Sequence, residues 1–69
     1  GTSRAERREI QQFLLNKGYD IGTADGLIGD KTRQAIRQEQ TRLGLSPTGR
    51  AGQQILRAFR NENAQKMMK

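Results

Sequence analysis

Apolar residues recur at the spacing of an α-helix in three stretches of the chain. The first pattern predicts a helix over residues 4–17, which Gly18 would end because glycine tolerates the left-handed conformation that follows a last helical turn. The second predicts a helix from residue 30 or 31 to residue 43, with Asp30 as its N-cap. The third predicts a shorter helix over about 51–60. We therefore predict an all-α fold, a small three-helix bundle.

The connection between the first two predicted helices is long, but it is too apolar and too regularly interrupted by glycine to be a slack linker. Its four glycines allow tight turns. Between them lie four apolar residues, which we expect to press this loop onto the core. They are Tyr19, Ile21, Leu27 and Ile28. The other residues predicted to form the core are Ile10, Phe13, Leu14, Ala35, Ile36, Leu43, Leu45, Ile55, Leu56 and Phe59.

Length and composition limit the chain to one small domain. Its 69 residues are close to the lower size at which a core folds unaided. We assign the domain to residues 4–60 and expect residues 61–69, which are polar apart from Met67 and Met68, to be a flexible tail. The sequence has neither cysteine nor histidine, which excludes disulfides, thiol chemistry and a zinc site. No apolar run approaches the roughly 20 residues of a membrane-spanning helix, and we expect a monomer.

The acidic residues predict neither a calcium site nor a catalytic pair. Placing Asp25-Gly26 at the fifth and sixth positions of an EF-hand loop puts Ile21 and Thr23 where ligands should be and supplies no closing Glu. The seven Asp and Glu residues are scattered, and three short helices leave no cleft for two cooperating carboxylates. We therefore predict a non-enzyme without a metal or cofactor.

Several short motifs occur in an order that belongs to a known family. They are Ile10-Gln11-x-x-Leu14, Gly18-Tyr19, Asp25-Gly26-x-x-Gly29-x-x-Thr32, Ala35-Ile36, Gln40, Leu45, Thr48-Gly49 and Leu56-x-x-Phe59. Over residues 6–60 the chain resembles the three-helix peptidoglycan-binding domain, an accessory module of bacterial cell-wall hydrolases. Residues 49–56 are most similar to modules at the C-terminal end of lytic murein transglycosylases.

The resemblance implies non-catalytic binding of peptidoglycan, which would target a linked hydrolase or lytic transglycosylase to the wall. It also implies the bacterial periplasm or cell envelope as the location, although the chain shows no signal peptide. Three of the expected ligand-binding residues form an i, i+4, i+7 row on the second helix, where arginines can bind the carboxylates of peptide stems. The full set is Tyr19, Asp25, Gly26, Ile28, Arg33, Arg37 and Gln40.

Each of these residues also has a purely structural interpretation. Asp25-Gly26 fits a turn in which Asp accepts backbone N–H groups and Gly takes a positive φ. Gln40, like Gln11, lies beside the inner stripe of its helix and can hold loop backbone instead of ligand. A row of arginines is typical of a solvated helix face, and Tyr19 can be a half-buried anchor.

Two positions depart from the family pattern. The family favours an aromatic residue just before the central glutamine of the second helix, where this chain has Glu39, and another where it has Ile28. Helical geometry places Glu39 on the apolar face, so we expect it to be exposed or paired with an arginine such as Arg57 or Arg7. The aliphatic residue at position 28 removes a stacking surface for sugar.

The main alternative is a basic three-helix domain that binds nucleic acid. Thirteen Lys and Arg against seven Asp and Glu give a net charge of +6. A helix-turn-helix, however, joins its helices by about 3–4 residues, whereas a long patterned loop separates the first two predicted helices. We therefore favour peptidoglycan over nucleic acid. A protein-interaction module that uses Leu15 or Met67-Met68 has less support.

Overall fold

Three helices surround one hydrophobic core in the computed structural model. Residues 1–67 are described, Met67 by its backbone alone, so the Met67-Met68 surface considered above lies outside the described side chains. The part of the chain that is described contains no strand, which confirms the predicted all-α bundle. None of its helices is long and apolar enough to span a bilayer. The helices are α1 (Arg4–Asn16), α2 (Asp30–Arg42) and α3 (Gln53–Met67).

Side-chain capping explains where α1 begins, whereas α2 begins without a capping side chain. The Ser3 hydroxyl accepts the Glu6 N–H at 3.1 Å, and the Glu6 carboxylate accepts the Ser3 N–H at 2.9 Å, which forms a capping box at α1. At α2 the prediction of Asp30 as N-cap is wrong, because Gly29 occupies the cap position without a side chain. Asp30 is the first helical residue, where its charge still favours the positive end of the helix dipole.

The third helix is longer than the sequence pattern predicted. It continues to Met67 instead of ending near residue 60. Residues 61–66 contain no glycine or proline to stop the helix, and one of them is bound from outside α3. The Glu62 carboxylate lies 2.9 Å from Nη2 of Arg42 and 3.5 Å from Nζ of Lys17. The polar composition of this segment therefore marks a helix held by ion pairs, which periodicity of apolar residues does not detect.

The core contains residues from every helix and one from the long connection. The Phe13 and Phe59 rings pack with centroids 5.5 Å apart. Leu27 was predicted to be a core residue, but its side chain is 61% exposed. The Leu27 N–H donates to Asp25 and its C=O accepts from Gln11, and with the backbone held in this way the side chain points to solvent. Ile28 and Leu45 are only half-buried. The buried apolar residues are Ile10, Leu14, Ile21, Ala35, Ile36, Ile55, Leu56 and Phe59.

Two buried glutamines fasten the connections to the helices. Gln11 accepts the Gly26 N–H at 2.7 Å and donates to the Leu27 carbonyl at 2.9 Å. Gln40 accepts the Gly49 N–H at 2.9 Å and donates to the Thr48 hydroxyl at 3.0 Å. We call these two arrangements the glutamine clamps. Each one satisfies both ends of a buried amide, which would otherwise be costly inside the protein.

The two clamps repeat one local design. Gly26 has φ +83° and Gly49 has φ +75°, so both occupy the left-handed region that favours glycine. Each glycine also packs closely on the helix before it. A Cβ on Gly26 would lie 2.8 Å from the Arg4 carbonyl oxygen, and one on Gly49 would lie 3.4 Å from that of Arg33. A second glycine, Gly29 or Gly52, follows three residues after each clamped one and immediately precedes the next helix.

We expect Gly26→Ala to destabilise the fold more than Gly22→Ala does. Both residues have φ above +80°, so both variants incur the roughly 1–2 kcal/mol of a left-handed L-residue. Only the Cβ at Gly26 meets other atoms, at 2.5 Å from Cγ of Arg4 and 2.8 Å from its carbonyl oxygen, whereas the Cβ at Gly22 is in open space. This clash should add about 1 kcal/mol or more, measured by urea denaturation. Equal losses in the two variants would contradict the close packing.

Candidate functional site

An open groove of about 550 Å³ lies where the start of α1, the start of α2 and the turn before α3 meet. Ile28 and Ala51 contribute apolar surface, and three arginines contribute guanidinium groups. The groove is lined by Gly1, Thr2, Arg7, Ile28, Arg33 and residues 49–53. The volume is within the range of sites that bind small molecules, although this groove is open to solvent.

The three arginines of the groove are held in different ways. Arg7 donates from Nε to the Gly26 carbonyl at 3.0 Å and from Nη1 to the Thr2 carbonyl. These carbonyls fix its guanidinium without neutralising its charge. Arg33 shares its charge with Asp30, whose carboxylate lies 3.0 Å from Nη1. Arg50 has an exposed side chain that forms no salt bridge with any residue in the range 1–67.

The turn before α3, which forms one wall of the groove, is held by hydrogen bonds to two other parts of the chain. The Thr48 hydroxyl accepts the Arg50 N–H at 3.2 Å and is itself bound by Gln40. The Thr2 hydroxyl donates to the Ala51 carbonyl at 2.7 Å, which links this turn to the segment before α1. The wall is therefore preformed by side-chain hydrogen bonds, although it contains no regular secondary structure.

Most acidic side chains form their salt bridges outside the groove. Glu9 pairs with Arg60 at 2.8 Å, and Glu39 and Glu62 pair with Arg42. Among the acidic residues of the range 1–67, only Asp30 forms a salt bridge with one of the groove's arginines. The Glu6 carboxylate also lies next to the groove, where Gln53 donates to it at 3.2 Å, so three arginines stand against two carboxylates and the groove presents a net positive charge.

Tyr19 lies at a different place, beside a smaller depression of about 200 Å³ that Ile21, Lys31 and Gln38 also line. Its hydroxyl donates to Oε2 of Glu39 at 2.6 Å. The ring is half-buried, so it has the position that the structural interpretation predicted. Because its hydroxyl is bound by Glu39, Tyr19 belongs to a charged cluster between the helices and is not part of the groove.

Glu39 is buried and ionically paired, which confirms one of the two expected outcomes. Only 4% of the residue is exposed, and its Oε1 lies 2.8 Å from Nη2 of Arg42 and 3.4 Å from Nζ of Lys17. The prediction of Arg57 or Arg7 as the partner is wrong, because the arginine that pairs with Glu39 is Arg42, three residues further along α2. Glu39 and Arg42 are three residues apart on one helix, and this i, i+3 spacing would have indicated Arg42 as the partner.

The protonation of this cluster follows from its hydrogen bonds. Burial alone would raise the pKa of Glu39, but the hydrogen bonds from Arg42 and Tyr19 and the charge of Lys17 together lower that pKa below its usual value. The hydrogen bond to Glu39 in turn raises the pKa of the Tyr19 hydroxyl. At neutral pH the carboxylate is therefore ionised and the tyrosine is protonated.

Three further predicted site residues have structural contacts. The Asp25 carboxylate accepts the Leu27 N–H at 2.9 Å, and this hydrogen bond lowers the pKa of Asp25. Gly26 and Gln40 are buried, each within its own glutamine clamp. These three residues shape the turns on which the groove depends without lining it.

Of the two predicted arginines, only Arg33 lines the groove. Arg37 lies against the turn at Gly49, where a Cβ would come within 3.0 Å of its Nε. Of the site residues predicted from the sequence, Ile28 and Arg33 line this groove, which Arg7 and Arg50 also line although they were not predicted as site residues. The sequence offered one indication of Arg50, because this residue directly follows Gly49 of the Thr48-Gly49 motif.

Comparison with known proteins assigns the chain to a family. A family profile described as "Putative peptidoglycan binding domain" matches residues 3–59, a span that includes both glutamine clamps and most of the groove. The chain belongs to this peptidoglycan-binding domain family. A relative from Synechococcus elongatus, described as "Putative OxPP cycle protein OpcA", is 46% identical over 55 residues. That similarity covers 80% of the chain but 12% of the relative, so the chain spans a small part of that protein.

In this peptidoglycan-binding domain we expect Glu39→Gln to lower the free energy of unfolding at pH 7 by about 1–3 kcal/mol, because it removes charge-assisted hydrogen bonds. Folding lowers the pKa of Glu39, so its contribution is present above the unfolded-state pKa and disappears as the pH falls through the folded-state pKa. The difference between wild type and variant should therefore shrink as the pH drops below about 4.5. Urea denaturation at a series of pH values measures it.

Two further variants make that result specific. Glu9→Gln removes an exposed pair with Arg60 and should cost less than Glu39→Gln at pH 7. Glu39→Phe replaces only the carboxylate of the pair with an apolar ring. Because Arg42 is partly exposed and both Arg42 and Lys17 keep Glu62 as a partner, no cation is left buried and unpaired, and stability should be unchanged or higher. A difference between wild type and Glu39→Gln that stays constant down to strongly acidic pH would show that the charge of Glu39 is not the stabilising feature.

Proposed function

We propose that this chain is a non-catalytic module that binds bacterial peptidoglycan along the arginine-lined groove and holds a linked cell-wall hydrolase or lytic transglycosylase at its polymer. The observation that carries the proposal is the family match over residues 3–59. The groove supports it, because it combines preformed walls, apolar surface and positive charge in one place.

The chemistry of the groove suits a polymer that carries carboxylates. Peptidoglycan has peptide stems with carboxylate groups, and guanidinium groups bind carboxylates through directional, charge-assisted hydrogen bonds. Arg33 and Arg50 supply exposed donors at the groove, and Ile28 supplies half-buried apolar contact. Because the groove is open and the module small, each contact with the polymer buries little area and the affinity should be modest.

Modest affinity is sufficient for a tethering role. A module that holds one point of the wall raises the effective concentration of any linked domain near the same polymer. This role belongs to the periplasm or another compartment of the cell envelope where the wall is accessible. The choice of a lytic transglycosylase as the linked enzyme rests on the resemblance of residues 49–56. The name of the Synechococcus relative does not refer to the wall.

We expect the double variant Arg33→Ala/Arg50→Ala to lose most of its retention on purified sacculi, by about tenfold at moderate salt, because it removes two of the three charged donors of the groove. The measurement is a sacculus pull-down over a range of salt concentrations, with helicity checked by circular dichroism. The matched control is Arg8→Ala/Arg57→Ala, which removes two exposed arginines outside the groove and changes the net charge equally. It should retain binding.

Two other outcomes would contradict the proposal. Equal loss in both double variants would show that binding follows total charge and not the groove. Efficient displacement from sacculi by DNA, with a steeper salt dependence for DNA than for sacculi, would favour the nucleic-acid alternative. Arg37 is left unchanged in this design because its side chain packs against Gly49, so replacing it would also disturb the turn.

A further inference from the structure

The free N–H groups of the groove have an arrangement that favours a particular chemical group. Arg33 uses Nη1 for Asp30, which leaves its Nε and Nη2 edge available. Arg7 uses Nε and Nη1 for backbone carbonyls, and no bond from its Nη2 is formed within residues 1–67. The Arg50 side chain is exposed and forms no salt bridge within residues 1–67, so its whole fork is available. Two of the three arginines can therefore bind a carboxylate through two parallel hydrogen bonds.

The same groove is poorly suited to a neutral sugar. The three guanidinium groups donate hydrogen bonds but cannot accept them, so Thr2 and Gln53 are the side chains in the lining that offer acceptors to the hydroxyls of a glycan. No aromatic ring lines the groove in the described part of the chain. Phe13 and Phe59 pack against each other in the core, and the hydroxyl of Tyr19 is bound by Glu39 elsewhere. A flat apolar surface for a sugar ring is therefore missing at this site.

The apolar part of the groove is small and aliphatic. Ile28 is half-buried, and Ala51 is packed against the core, so together they offer contact for one or two methyl-sized groups next to the arginines. A charged terminus beside a small apolar side chain complements this pattern. The end of a short peptide has both features, since its terminal carboxylate follows directly on its last side chain.

We infer that the groove recognises the free terminal carboxylate of a wall peptide, with the small side chain of the terminal residue on Ile28 and Ala51, and does not recognise the glycan strand. The inference rests on the proposed function and specifies which part of the polymer is bound. Arg33 and Arg50 take the carboxylate through paired N–H groups, and Arg7 adds a fixed positive charge. Recognition of this kind depends on the fork of arginine and not only on its charge.

The test is a titration of the ¹⁵N-labelled chain followed by NMR. The probes are N-acetyl-D-alanyl-D-alanine, the same dipeptide as its C-terminal amide, and a tetramer of N-acetylglucosamine. We expect the free acid to shift amide signals of residue 28 and residues 49–53 and the amide form to bind at least about tenfold more weakly. The sugar tetramer should leave these signals unchanged.

Two conservative variants separate geometry from charge. Arg50→Lys keeps the charge but removes the fork, so it should weaken binding of the free acid several-fold. Arg57→Lys makes the same change outside the groove and should have no effect. Both variants retain a long aliphatic side chain, so the fold is expected to be unchanged.

Several results would overturn the inference. Equal binding of the acid and the amide would do so, as would shifts confined to the depression near Tyr19. Shifts of the groove signals by the sugar alone would also overturn it. The same holds if the acid does not bind at about 10 mM, which we take as the weakest affinity that counts as recognition. If sacculus retention still depends on Arg33 and Arg50 in these cases, the proposed function stands and only the peptide end is wrong as the bound part. If retention is lost as well, both fail.

Discussion

Two buried glutamine side chains provide the constraint on which the rest of this small fold depends. Gln11 and Gln40 are 1% and 2% exposed, and each binds a turn through both ends of its amide. A buried amide that lost these partners would cost about 1–3 kcal/mol per unsatisfied group, a large share of the stability of a domain this size. In the described part of the chain, no buried side-chain polar atom lacks a partner. Helix and turn therefore stabilise each other, and the turns determine where α2 and α3 begin.

The groove is a consequence of that constraint. Gln11 fixes the turn that leads to Ile28, and Gln40 fixes the turn that leads to residues 49–53, so the two clamps position opposite walls. Arg7 reaches from α1 to the clamped turn at Gly26 and is held there by a carbonyl. The walls are thus set before a ligand arrives, which reduces the entropy lost on binding. Charge is concentrated there because most acidic residues pair with cations elsewhere, as Glu39 does with Arg42.

Sequence periodicity predicted the three helices and most of the core because helix packing depends mainly on an apolar stripe. It ended α3 too early, since ion pairs such as Glu62–Arg42 stabilise the last turns without apolar residues. It also placed Leu27 inside, because periodicity cannot show which way a side chain points in an irregular loop. Of the arginines that line the groove it indicated Arg33 but not Arg50, since only the tertiary fold brings the two residues together.

We proposed that wall polymer binds at the preformed groove, and hydrogen–deuterium exchange on the chain bound to sacculi can test this claim. Peptides that cover residues 49–53 and residue 28 should exchange more slowly in the bound state than in the free state. Peptides that cover Tyr19, Gln34, Ala35 and Gln38, which line the separate depression, serve as the internal reference and should not change. Slower exchange confined to that reference region, or no change anywhere despite retention on sacculi, would contradict the claim.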